Sequence, residues 1–160
     1  MSELRIVAMA TELVQQVRAT LRAPVYGFPA HRESAAGRAP CRHCLNLIQP
    51  QKEELILFTH DAFSGQGVAP SPGPVYVHAE PCEQFRGNGK IPSSYLGHPL
   101  TFEAFGAERK RLVEKAVAGC GEDEALQAIF AHPDVQYVHV RSTSAGCYLF
   151  RVERNVGPAL

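Results

Sequence analysis

Four residues in this chain have the types and spacing of metal ligands. Cys41 and Cys44 are two residues apart in the segment Pro40-Cys41-Arg42-His43-Cys44-Leu45, and His78 and Cys82 have three residues between them. Thiolate sulfur and imidazole nitrogen are the ligands Zn²⁺ prefers, and Cys3His is a common closed structural set. Two intervening residues let both sulfurs of a CxxC point at one ion from a tight turn. One position departs from the usual zinc knuckle: Leu45 follows the second cysteine, where Gly or another small residue is common. A plainer account also fits, in which reduced cysteines pack beside a histidine at a strand end.

Thiol chemistry is the competing reading. Arg42 and His43 lie between the two thiols of the CxxC and would stabilise a thiolate there, as thiol-disulfide exchange requires. Against this, the chain lacks the βαβ pattern that normally carries a redox CxxC. A second possible polar site comprises His139, Arg141 and Cys147. If the last two strands pair with Arg141 opposite Cys147, the thiol sits beside a cation and diagonal to an imidazole, as a nucleophilic cysteine would. Cys120, between Gly119 and Gly121, reads as a turn residue. Arg109, Lys110, Arg111 and Lys115 form a short basic stretch interrupted by Glu108 and Glu114, the pattern of a solvated surface. No P-loop, GxGxxG, HExxH or GxSxG motif is present, and no catalytic residue is assigned.

These side chains need elements to hold them. Residues 4–9 read as an apolar strand. Residues 11–21 place Leu13, Val14, Val17 and Leu21 at helical spacing, with Thr11 as a possible cap. Between 22 and 40 the periodicity disappears. Residues 54–59 and 75–79 read as strands joined by a Gly- and Pro-rich loop, the 60–74 loop, long enough to be a binding surface. If those strands run antiparallel, residues near 51–55 lie opposite residues near 78–82. Both ligand pairs then converge at one end, and His60 is left at the other. Residues 100–105 read as a strand, 107–118 fit helix or strand, and 122–131 read as a helix with acidic residues in its first turn. Residues 135–141 and 147–152 form a hairpin. In the register with Arg141 opposite Cys147, Val138, Val140, Tyr148, Phe150 and Val152 share one face. His139, Arg141, Cys147 and Arg151 share the other.

With 160 residues the chain has the length of one ordinary domain, so residues 1–160 are expected to form a single domain. Sixteen Lys and Arg balance sixteen Asp and Glu, which argues against a strongly basic nucleic-acid binder. No apolar run approaches the ~20 residues of a membrane span, and the first residues carry Glu3, Arg5 and Glu12, unlike a signal peptide. A cytoplasmic protein without a membrane partner is expected. Five cysteines, an odd number, fit ligation or burial better than a disulfide framework there.

Three blocks taken together resemble a known family. They are the segment 40–45, the segment Gly73-Pro74-Val75-Tyr76-Val77-His78-Ala79-Glu80-Pro81-Cys82, and Tyr137-Val138-His139-Val140-Arg141 with Gly146-Cys147-Tyr148 and Arg151. In this order they resemble the bacterial DUF1203 family, to which no function is assigned. The resemblance therefore transfers no catalytic residue, but it favours two strands with a turn near 105–108 over a helix in 100–118. The resulting expectation is an α+β fold, an antiparallel sheet of about five or six strands with two main helices packed on it. The expected function is a small protein with a structural zinc site at Cys41, Cys44, His78 and Cys82. The alternatives are a cysteine-dependent enzyme (Cys41/Cys44 exchange, or a Cys147/His139 nucleophile) and a metal-free interaction domain.

Overall fold

A computed structural model describes residues 3–155. Among them, ten strands and two α-helices follow one another as β1 (Leu4–Val7), α1 (Thr11–Thr20), β2 (His31–Ser34), β3 (Ala39–Pro40), β4 (Leu47–Ile48), β5 (Glu54–Asp61), β6 (Pro72–His78), β7 (Leu100–Phe105), β8 (Arg111–Val117), α2 (Glu122–Phe130), β9 (Tyr137–Ser142) and β10 (Tyr148–Arg154). The fold is α+β, and both helices form where apolar spacing places them. The strands are spread over more than the one sheet expected. There is a five-stranded antiparallel sheet in the order β1-β10-β9-β7-β8, a three-stranded sheet β2-β5-β6 and a two-stranded pair β3-β4. The chain divides into two compact units, one of residues 8–85 and one of the described residues up to Val7 and from Arg86 onward.

In the unit of residues 8–85, α1 buries Val14 and Val17, with Leu13 partly buried, because these positions recur on one side of a 3.6-residue turn. Thr11 is not its cap: Ala10 holds that position, and the Thr11 hydroxyl instead meets the His43 ring at 3.0 Å. Strands β5 and β6 are antiparallel, with Leu55 opposite His78 and Asp61 opposite Pro72. Pairing thus continues beyond the apolar runs and shortens the connecting loop to residues 62–71. Its base is tied by the buried Asp61 carboxylate, which accepts from the Phe63 and Ser71 amides at 2.9 and 3.1 Å and from the Tyr26 hydroxyl at 3.2 Å. The core of this unit joins Val14, Val17, Ile48, Leu55, Ile56, Phe58, Val75 and Val77 with Cys41 and Cys44 themselves.

In the other unit, β7 and β8 form the hairpin expected over 100–118. Glu108 and Arg109 hold left-handed φ values of 55° and 61° in its turn. Leu4, Ile6, Leu100, Phe102, Ala104, Val138, Val140, Phe150 and Val152 are buried. The registers place all of them on one face of the five-stranded sheet. The β9–β10 register differs from the expected one. Tyr148, not Cys147, lies opposite Arg141, and a bulge at Leu149 then sets Phe150 opposite Val140 and Arg151 opposite His139. The bulge carries Tyr148 to the His139 face, where the two rings stand 5.0 Å apart. Cys147 falls outside the strand, and the other face assignments survive, because two positions of shift preserve the pleat.

Candidate metal centre

Short elements present each half of the cluster. Strands β3 and β4 pair Ala39 with Ile48 and Pro40 with Leu47, so residues 41–46 are the tip of a very small hairpin. Inside the tip, the Cys41 amide donates to the Asn46 carbonyl and the Leu45 amide to the Cys41 carbonyl, both at 2.9 Å. Leu45 holds a left-handed φ of 59°, the conformation for which a knuckle usually uses glycine. Its side chain is fully buried, worth about 1.5–3 kcal/mol, which offsets a left-handed cost of about 1–2 kcal/mol. Opposite the tip, His78 ends β6 and Cys82 follows four residues later.

One ligand atom from each of Cys41, Cys44, His78 and Cys82 lies within 4.8 Å of all the others. The Cys41 and Cys82 sulfurs are 3.9 Å apart, and the Cys44 sulfur is 3.4 Å from His78 Nδ1. Tetrahedral coordination with Zn–S near 2.3 Å and Zn–N near 2.0–2.1 Å implies about 3.8 Å and about 3.6 Å for these separations. Cys41, Cys44 and His78 are buried and Cys82 is half-buried. The donor set, its spacing and its burial all fit a four-coordinate ion.

The surroundings are those of a ligand set. His78 turns Nδ1 inward, and its Nε2 lies 3.3 Å from the Glu53 carboxylate, the outer partner that fixes a ligating imidazole's tautomer. Three thiolates and one neutral imidazole would leave a filled Zn²⁺ site one unit negative. Arg18, in the last turn of α1, supplies the opposite charge, donating NH2 to the Cys82 sulfur at 3.3 Å and Nε to the His78 carbonyl at 3.1 Å. His43 Nδ1 is 3.2 Å from the same sulfur. Burial lowers the His43 pKa, and its other ring nitrogen, Nε2, lies 3.0 Å from the Thr11 hydroxyl. The His78 amide donates to the Cys41 sulfur at 3.3 Å.

Without an ion, the cluster's own hydrogen bonds separate its thiols. Those from the Cys44 and Cys82 side chains hold Cys41 far below the usual thiol range, and the contacts with Cys41 and Cys82 raise Cys44 above it. Hydrogen bonds with the Cys41 and Cys82 sulfurs push His78 up to about 10. These shifts favour negative charge at Cys41 and a proton on His78. A cation entering the cluster displaces the remaining protons as it binds.

The other predicted polar site is arranged differently. His139 is fully buried, with the Phe105, Tyr137 and Tyr148 rings 5.0–5.3 Å from its own. Arg141 forms an ion pair with Glu103. Cys147 lies in the turn before β10, its sulfur 3.7 Å from the Ala145 carbonyl. Sequence reading missed Glu53, Arg18 and Thr11 as partners of the cluster, and assigned His43 to Cys41 rather than to Cys82. Only the antiparallel register of β5 and β6 hints at Glu53, since it lies among the residues expected opposite 78–82.

An α+β chain with a buried Cys3His cluster of metal-ligand geometry is the class these observations define. The chain belongs to the DUF1203 family, proteins of unknown function, whose profile matches residues 38–154. That span contains all four cluster residues and Glu53, whereas Thr11 and Arg18 precede it. Comparison with curated proteins and with solved structures finds no match. Among the described residues, no helix is long and apolar enough to cross a membrane.

Proposed function

We propose that this is a small cytosolic zinc-binding protein whose ion is structural, held by Cys41, Cys44, His78 and Cys82, with the loop of residues 62–71, the part of the expected 60–74 loop left between the paired strands, as its binding surface. The observation that carries the reading is the convergence of the four ligand atoms within 4.8 Å, backed by Glu53 behind His78. Four protein ligands leave no open position for substrate, which favours a structural over a catalytic ion. The loop supports the second half of the reading: Ser64, Gly65, Gly67, Ala69 and Pro70 are exposed above a base that Asp61 holds in place.

Elemental analysis of protein never exposed to chelator tests this directly, with one zinc per chain as the expected result. Well under one metal per chain overturns it. Cys44→Ser is expected to lose the ion and lower the melting temperature, while Cys120→Ser does neither. The lowered Cys41 thiol favours one other reading, thiol exchange at Cys41/Cys44. Reagent labelling separates the two. With zinc in place Cys120 reacts first, and Cys41, Cys44 and Cys82 appear together after chelation. Exchange chemistry makes Cys41 the first to react in untreated protein.

A further inference from the structure

Cys82 is the half-buried vertex of the cluster, flanked by the exposed Pro81 and Glu83, while its three companions are buried. Its sulfur lies 3.9 Å from that of Cys41, and a disulfide requires about 2.05 Å. The two sulfurs need to approach by only about 2 Å. Two nitrogens, Arg18 Nη2, which donates, and His43 Nδ1, lie 3.3 and 3.2 Å from the same Cys82 sulfur. We propose that Cys82 is an oxidation site at which a peroxide converts the zinc cluster to a Cys41–Cys82 disulfide and releases the ion. The inference rests on the zinc reading above.

The chemistry balances. The Cys82 thiolate attacks one peroxide oxygen, the O–O bond breaks, and Cys82 becomes a sulfenic acid as hydroxide leaves. Arg18 and His43 stand beside the sulfur where that hydroxide forms. The Cys41 thiolate then attacks the Cys82 sulfur, forming the S–S bond and displacing a second hydroxide, and both hydroxides take protons from the buffer and leave as water. Two thiolates lose two electrons and one peroxide gains them. Cys44 and His78 remain, and two ligands do not hold an ion that needed four. Cys120 is more exposed than Cys82, but it belongs to no group of metal-ligating side chains among the described residues, so its oxidation leaves the ion in place.

The experiment counts zinc first, in protein purified without chelator. Hydrogen peroxide is then titrated in with a chromogenic zinc indicator present, and unreduced peptides are mapped. One zinc released per Cys41–Cys82 disulfide formed is the expected result, with the same release in Cys120→Ser and recovery on adding dithiothreitol and zinc. Zinc retained while Cys120 oxidises overturns the proposal and leaves the zinc reading standing. A Cys41–Cys44 disulfide as the first product does the same. Protein that carries no zinc before peroxide is added overturns both, a result already visible in the first measurement.

Discussion

The Glu53 carboxylate receives the Gln49 amide at 2.9 Å and stands 3.3 Å from His78 Nε2, so one side chain fixes both a turn and a ligand's orientation. Outer partners of this kind contribute about 10–100-fold to metal affinity, and Glu53 is partly exposed, which places it near the lower end. Glu53→Ala is expected to weaken zinc binding about tenfold, measured by competition with a chelator of known affinity. Glu53→Gln keeps an acceptor for both donors and falls between the two. An unchanged affinity in Glu53→Ala would show that His78 needs no help. The four cluster residues were legible because cysteine and histidine at CxxC and HxxxC spacing have the types and spacing of metal ligands. Arg18, Thr11 and Glu53 were not, because nothing local distinguishes them. Each matters only once α1 and the β5–β6 pair bring it to the cluster, and ordinary surface residues of the same types occur throughout the chain.

Close approach between backbones limits substitution among the elements. A Cβ placed on Gly89 would lie 1.9 Å from the Leu4 carbonyl oxygen in β1, an edge strand of the five-stranded sheet. The loop backbone covers that edge, and only a residue without a side chain fits. Gly89→Ala must displace one of the two backbones, expected to cost about 1–3 kcal/mol and to lower the melting temperature by several degrees. Gly37→Ala, whose Cβ meets nothing within 4 Å, is the control and is expected to change stability by less than about 0.5 kcal/mol. Equal effects in thermal unfolding would remove the steric account. Helices and long strands were readable because Val14 and Val17, or Leu100, Phe102 and Ala104, repeat at their element's own period. Strand β2 was not, since all four of its residues are exposed, and β3 and β4 have two residues each, too few for any period to show. The β10 bulge escaped for a different reason. Tyr148 suits either face of a sheet, so the pattern alone could not say where the extra residue enters.

Across the described residues, all four residues of the Cys3His cluster and every strand of the three-stranded sheet fall within the unit of residues 8–85. Chelation is therefore expected to lower hydrogen-exchange protection of amides in β5 and β6, beginning with His78, whose amide donates to the Cys41 sulfur. Unchanged protection after the ion leaves would mean that packing alone holds those strands. The five-stranded sheet has the opposite layout, because β1 pairs with β10 and joins Leu4 to Arg154. During translation, that partner emerges about 70 residues after the last residue of the unit of residues 8–85, a delay of roughly 4–14 s at ribosomal speeds. All four cluster residues are synthesised before the first strand of the chain has anything to pair with. Folding the intervening residues first shortens the effective loop by about half, which relieves only about 0.6 kcal/mol of closure entropy. The benefit lies in timing: the four cluster residues are all made, and can come together, before β9 and β10 exist.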